Sequence, residues 1–154
     1  MRLFVSAALA VSSMAGFAFA SAQKPAAPVV EVYKSPTCGC CSKWVDHMAD
    51  AGFKVRVTDL ADHELDQLKA KSGVPAQTQS CHTAIVGGYA IEGHVPATEV
   101  KRLLDEKPAL AGIAVPGMPI GSPGMEVDGM KPSPYRVLGF DKAGATRVFA
   151  TYDR

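Results

Sequence analysis

Three cysteines lie within four residues, at Cys38, Cys40 and Cys41, between an apolar run and an amphipathic run. Upstream, residues 29–33 are β-branched and aromatic, which predicts a buried strand. Downstream, apolar side chains recur at helical spacing as far as Met48, which predicts an amphipathic helix. The cysteines are therefore expected where a strand turns into a helix. Unpaired amides and the positive end of the helix dipole favour thiolates at such a position.

The spacing of these thiols leaves more than one chemistry open. Cys38 and Cys41 form a C-x-x-C, which is close enough in such a turn to share a disulfide or a metal ion. Cys40 is a surplus thiol that a plain redox pair would not need. Ordinary secretory disulfides among the four cysteines are the alternative, but such tight clustering would make them inefficient at closing long loops.

The first residues have the pattern of a cleaved secretory signal. A short charged start precedes an apolar stretch rich in Ala and Ser, and small-residue cleavage sites follow at residues 18–20 and 20–22. A membrane anchor is disfavoured because serines dilute a stretch of only marginal length. We therefore expect a signal peptide over residues 1–22, a leader over 23–28 and one domain over 29–154.

Charge excludes two classes of partner. The 16 basic and 15 acidic residues nearly balance, and no basic patch stands out. Nucleic acid is therefore not an expected partner, and neither is a membrane after signal cleavage.

The remaining pattern predicts an α/β fold with the order β-α-β-α-β-β-α, a long loop and a C-terminal hairpin. After the first strand, the predicted elements are a helix over about 41–51 ending at Gly52, a strand over 53–58, a helix from Asp62 to near Gly73, a hairpin turning at Gly87-Gly88, a helix from Pro96, a loop over 108–134 rich in Gly, Pro and Met, and strands over 135–140 and 145–152.

This order, with C-x-x-C at the first strand-to-helix turn, resembles the thioredoxin fold over about residues 29–107. In that fold a proline ordinarily precedes the third strand and faces the cysteine turn. Here His82 stands at that position, next to Cys81. The departure argues against generic disulfide exchange and brings a fourth thiol and an imidazole to face the first three.

Thiolates and thioethers are soft ligands that select Cu(I), with Zn(II) as the competitor that also accepts Cys and His. Four cysteines, one adjacent histidine and three loop methionines fit copper better. The combined pattern is Cys-Gly-Cys-Cys at residues 38–41, then Trp44 and His47, then Cys81-His82, then Gly-Met-Pro-x-Gly-Ser-Pro-Gly-Met at residues 117–125. It resembles the exported CopG-type family of copper-resistance proteins over nearly all of the mature chain.

The resemblance implies a thioredoxin-like fold, a periplasmic location and a role in copper tolerance. It also implies copper held by clustered cysteines, as a single ion or as a multi-copper centre with redox activity, and other periplasmic copper-handling proteins as partners. Whether the protein is an enzyme stays open. We predict one Cu(I)-binding unit, for one ion or a small cluster, built from two chain segments with these metal ligands: Cys38, Cys40, Cys41, Cys81 and His82.

Other residues could contribute less directly. Met118, Met125 and Met130 are interpreted as packing or turn residues of a lid, with copper contact as the alternative. His47 is expected to be a hydrogen-bonding helix residue, with binding to the same metal as the alternative. Trp44 is expected to pack under the cysteine turn, whereas His63 and His94 are expected to be solvated.

Two other functions remain. A thiol-disulfide oxidoreductase would use Cys38 as the nucleophile and Cys41 as the resolving thiol. A structural zinc module would be closed by three cysteines and one histidine.

Overall fold

The computed structural model describes residues 28–153, so the predicted signal peptide and nearly all of the predicted leader lie outside the described residues. Within these residues, three α-helices and seven strands form a mixed α/β structure, which is the fold class that the sequence predicted. In chain order they are β1 (Val29–Lys34), α1 (Gly39–Asp50), β2 (Lys54–Asp59), α2 (Asp62–Lys71), β3 (His82–Val86), β4 (Tyr89–Glu92), α3 (Ala97–Glu106), β5 (Gly112–Ala114), β6 (Tyr135–Phe140) and β7 (Thr146–Tyr152). Within the described residues, no helix has the length and apolar character needed to cross a membrane.

All seven strands form one sheet in the order β2-β1-β3-β4-β5-β6-β7. β1 runs parallel to β2 and antiparallel to β3, and β3 runs antiparallel to β4. The register of β1 and β3 places Lys34, at the end of β1, opposite His82, at the start of β3. The segment that precedes β3 therefore lies at the same sheet edge as the cysteine turn that follows β1.

The centre of the sheet is buried on both faces. Side chains alternate between the faces of a strand, so Ile91 joins the larger hydrophobic cluster while its neighbour Ala90 joins a smaller one. The larger cluster contains Trp44 and Met48 of α1 together with Leu103 of α3. The apolar face predicted for α1 thus holds this helix, and the cysteine turn at its start, against the sheet.

The structure differs from the prediction mainly after α3. The expected 108–134 loop contains a short strand, β5, which pairs with both β4 and β6 and so joins the terminal hairpin to the sheet. Three buried residues are too few for a recognisable alternating pattern. By contrast, the Gly87-Gly88 turn was predicted from its two glycines, and both adopt positive φ, at 57° and 85°.

Candidate metal centre

The cysteine turn presents its thiols at the N-terminal end of α1. Cys38 occupies the residue before the helix, and Cys40 and Cys41 lie in its first turn. Cys38 and Cys41 are joined by a disulfide with a Cα–Cα distance of 5.4 Å. Cys40 remains a free thiol, and its Sγ lies 3.5 Å from Cys38 Sγ. Of the two possibilities that the sequence left open for the C-x-x-C pair, this structure contains the disulfide.

A second chain segment brings the fourth thiol to the same place. Cys81 lies directly before β3, and it is also free. The Sγ atoms of Cys38, Cys40, Cys41 and Cys81 all lie within 4.8 Å of one another. The sequence predicted that two segments would converge here, and the structure brings all four sulfurs together.

Two imidazoles extend the group on the side of Cys81. His82 Nδ1 lies 3.3 Å from Cys81 Sγ, and His94 Nε2 lies 3.0 Å from the same sulfur. One ligand atom from each of these three residues falls within 4.8 Å of the other two. Cys81 therefore belongs both to an all-sulfur group and to a mixed sulfur and nitrogen group.

The expectation that His94 is solvated is wrong. Its side chain is fully buried, and Nδ1 lies 2.8 Å from the carbonyl oxygen of Pro123. A carbonyl can only accept a hydrogen bond, so Nδ1 carries the proton and Nε2 presents a lone pair toward Cys81. The long loop contributes the residue that orients His94, and a linear sequence gives no signal that Pro123 and His94 are neighbours.

His82 lies where the sequence placed it, at the start of β3. Its ring is fully buried between Trp44 and His94, with ring centroids 4.5 and 5.1 Å away. Nε2 has no hydrogen-bond partner among the described residues. Burial lowers the pKa of His82 well below its ordinary value, and the His94 imidazole and nearby lysines lower it further. Burial also lowers the pKa of His94, although the Pro123 hydrogen bond and Glu126 oppose this. Both rings are therefore neutral near pH 7, which is the form that binds metals.

Cys81 is held as a thiol. Burial, and then the neighbouring Cys40, raise its pKa to about 12, while a hydrogen bond from Ser80 opposes the shift. A metal ion that binds the Cys81 sulfur must therefore displace its proton, so metal binding at this position releases acid.

A buried ion pair supports the segment that carries Cys81. Lys69 Nζ donates to Glu92 Oε1 at 2.6 Å, and both side chains are almost fully buried. Thr83 Oγ1 accepts from Lys69 and donates to Glu92 Oε2 at 2.6 Å. Glu92 Oε1 also accepts from the backbone N–H of Ser80, again at 2.6 Å. None of these residues was predicted from the sequence to be functional, although a glutamate directly after the apolar strand residues 90–91 is a pattern that indicates a buried charge with a partner.

Part of the long loop lies directly on the cysteine turn. Gly124 has φ +85°, and a Cβ at this residue would come within 2.8 Å of the Cys40 carbonyl oxygen and 2.9 Å of the Trp44 backbone nitrogen. Only a glycine allows the loop to approach α1 this closely. Met118 and Met130, in contrast, are about half exposed, so two of the three loop methionines point largely into solvent.

Trp44, His47 and His63 lie outside the group of sulfur and imidazole ligands. Trp44 is fully buried, and its Nε1 donates to the carbonyl oxygen of Val95 at 2.8 Å. His47 does hydrogen-bond, but across elements, because its Nε2 accepts from the backbone N–H of Ala97 at 3.0 Å. His63 is exposed on α2.

Comparison with known proteins gives three findings. A family model described as a protein of unknown function, DUF411, matches residues 78–125. Two solved structures of copper resistance protein CopG, Form 1 and Form 2, are similar to this chain, each at 41% sequence identity, with TM-scores of 0.75 and 0.74. Each alignment covers 82% of this chain and 98% of the CopG chain. No curated protein matches the chain.

Proposed function

Because the chain belongs to the CopG family of copper resistance proteins, we propose that it binds Cu(I) through its clustered cysteines as part of copper resistance in the periplasm. The sheet order β2-β1-β3-β4 supports a thioredoxin-like core, since β1 and β2 are parallel and β3 and β4 are antiparallel. This core supplies the strand-to-helix turn and the facing segment that carry the thiols.

One observation carries the proposal: four cysteine sulfurs from two segments lie within 4.8 Å of one another. Thiolates are soft, negatively charged ligands, and they favour Cu(I) over the harder divalent cations. Two neutral imidazoles beside Cys81 add nitrogen ligands, which copper and zinc both accept. We therefore add His94 to the predicted ligands Cys38, Cys40, Cys41, Cys81 and His82.

The position of Cys81 favours more than one copper ion. Its sulfur belongs to both the all-sulfur group and the mixed group, so it is placed to bridge two ions. Three thiols within four residues cannot all bind one ion from a single helical turn without strain. A small cluster with bridging thiolates uses all four sulfurs, whereas a single-ion site would leave at least one aside.

Copper can reach all four cysteine thiols only after the Cys38–Cys41 disulfide is reduced. With Cys38 and Cys41 joined, only Cys40 and Cys81 offer thiols. Reduction of the disulfide takes up two electrons and two protons and restores the other pair. The four-thiolate site is therefore a property of the reduced protein.

The same disulfide favours a second candidate function, thiol-disulfide exchange by Cys38 and Cys41. This activity would need no metal. Turnover of a small disulfide by metal-free protein therefore distinguishes thiol-disulfide exchange from copper binding.

The test is an anaerobic Cu(I) titration against a competing chelator, with reduced and disulfide-bonded samples side by side and with zinc as the rival metal. We expect the reduced protein to bind more than one Cu(I) per chain and to exchange zinc for copper. The disulfide-bonded sample should bind less. Zinc that Cu(I) cannot displace would support a structural zinc site instead, and disulfide turnover without copper binding would support the second function.

A further inference from the structure

The two thiols outside the disulfide also form a pair. Cys40 and Cys81 are both free and partly exposed, and their Sγ atoms lie within 4.8 Å of each other. We propose that Cys40 and Cys81 form a second disulfide, which links the first turn of α1 to the segment before β3. The cysteine cluster then holds zero, one or two disulfides and can store four electrons.

The two sulfurs have only a short distance to close. A disulfide needs its sulfurs at about 2.05 Å, so the two sulfurs must approach by at most about 3 Å from the spacing observed here. Rotation of side chains that are only partly buried can supply much of this approach. The two segments are already held together, because Cys41 Sγ lies 3.9 Å from the Cys81 carbonyl oxygen and the buried Lys69–Glu92 pair anchors Ser80.

The oxidant in this reaction is a low-molecular-weight disulfide, RSSR. The Cys40 sulfur attacks RSSR, which breaks the S–S bond and gives Cys40–S–SR and RSH. The Cys81 sulfur then attacks the Cys40 sulfur, forms the Cys40–Cys81 bond and releases the second RSH. The Cys81 proton leaves with that second thiol, and His94 Nε2, 3.0 Å from Cys81 Sγ, lies beside its path. In total, the two cysteines lose two electrons and two protons, and RSSR gains them.

A competing exchange has to be distinguished from this reaction. Cys40 Sγ lies 3.5 Å from Cys38 Sγ, so Cys40 could instead attack the existing disulfide and release Cys41. The sulfur released would belong to a fully buried residue. That exchange changes which cysteines are joined but leaves the number of free thiols at two.

The second disulfide would lower, in a further step, the number of thiols that can bind copper. The number of cysteine thiols available to copper would be four in the reduced form, two with Cys38–Cys41 closed and none with both disulfides closed. This consequence rests on the proposed function, whereas the disulfide itself does not. Formation of the disulfide is therefore tested on metal-free protein.

The experiment equilibrates the metal-free protein in glutathione buffers of increasing oxidising strength, traps free thiols with an alkylating agent and counts the labels by intact mass. We expect plateaus at four, two and zero labels, with no glutathione adduct in the last state. Peptide mapping should then find Cys40 joined to Cys81 within one chain. Two labels that persist in the most oxidising buffer, a stable glutathione adduct, a disulfide between chains, or Cys40 joined to Cys38 would each overturn the proposal.

Variants keep the test independent of the first disulfide. Cys38→Ser combined with Cys41→Ser retains only the proposed pair, and it should still lose both labels in the most oxidising buffer. Cys40→Ser should retain one unpaired cysteine, as a label or a glutathione adduct, in the same buffer. Circular dichroism checks that each variant is folded, and a folded double variant that never loses its labels would contradict the proposal. A copper titration on the same samples tests the proposed function separately.

Discussion

Replacing Lys69 by Met should strongly destabilise the protein, because it removes one partner of a buried ion pair. The Lys69 and Glu92 side chains are 4% and 0% exposed, and Nζ lies 2.6 Å from Oε1. Methionine has a similar length but no charge, so Glu92 would keep only the Ser80 N–H and the Thr83 hydroxyl as donors. Burial already raises the pKa of Glu92, and Lys69 is the largest influence that opposes this rise.

The expected loss is about 3–5 kcal/mol, the usual cost of leaving one buried charge without its partner. Since a domain of this size has a free energy of unfolding of about 5–15 kcal/mol, this is a large part of the total. A matched control is Arg56→Met, which removes the cation of the pair between Arg56 and Glu31. Those side chains are 68% and 29% exposed, and exposed pairs contribute at most about 1 kcal/mol.

Urea unfolding of metal-free protein measures both variants. The single variant Glu92→Gln and the double variant Lys69→Met with Glu92→Gln complete the thermodynamic cycle. Because removing both charges leaves no uncompensated ion, the double variant should be more stable than the sum of the single losses predicts. The Lys69→Met variant should also bind Cu(I) more weakly, since Glu92 anchors the backbone next to Cys81. A loss no larger than that of Arg56→Met, or strictly additive losses, would refute this reasoning.

Three other changes have defined outcomes. Met118→Ala should weaken Cu(I) binding less than loss of any cysteine, because a thioether is neutral; a competition titration that finds an equal loss would make the loop a primary ligand. Burial lowers the pKa of His47, so the folded state binds this proton less readily than the unfolded state, and the free energy of unfolding should fall as the pH drops through about 6.5 toward the folded-state pKa. His47→Gln, which can still accept from Ala97, should make this fall shallower between pH 7 and 5, and an unchanged pH dependence in urea unfolding would contradict this. Gly124→Ala should lower the free energy of unfolding more than Gly129→Ala does. Both glycines have positive φ, but only at residue 124 would a Cβ collide with α1. Equal urea midpoints for the two variants would argue against close contact between the loop and the helix.

Much of the fold follows from local patterns. The β-branched run before the cysteine turn, the apolar face of α1 and the Gly87-Gly88 turn each have a local physical cause, and the structure contains all three. β5 could not be predicted, because three residues fix no alternating pattern and this strand depends on pairing with β4 and β6. Pairing partners are a property of the whole sheet and are not encoded in the segment alone.

In the candidate site, too, some features follow from local sequence patterns and others depend on the tertiary structure. The convergence of residues 38–41 with Cys81 followed from the expected fold, because a strand-to-helix turn and the start of the third strand meet at one edge of the sheet. The burial of His94 did not follow, since it depends on a carbonyl group in the long loop that is distant in sequence. The Lys69–Glu92 pair joins a helix to a strand, and polar residues on α2 look like ordinary solvent-facing residues until the helix is packed.

If two separate segments hold copper together, the copper content of single variants will show it. Reduced wild type, Cys38→Ser, Cys81→Ser and the control Ser42→Ala would be loaded anaerobically with Cu(I), desalted and analysed for metal per chain. We predict more than one copper in the wild type and an equal and large loss in the two cysteine variants. We predict no loss in Ser42→Ala, which alters the same turn of α1 without removing a thiol. Full copper retention by Cys81→Ser would contradict the two-segment site, and a single copper in the wild type would exclude the cluster.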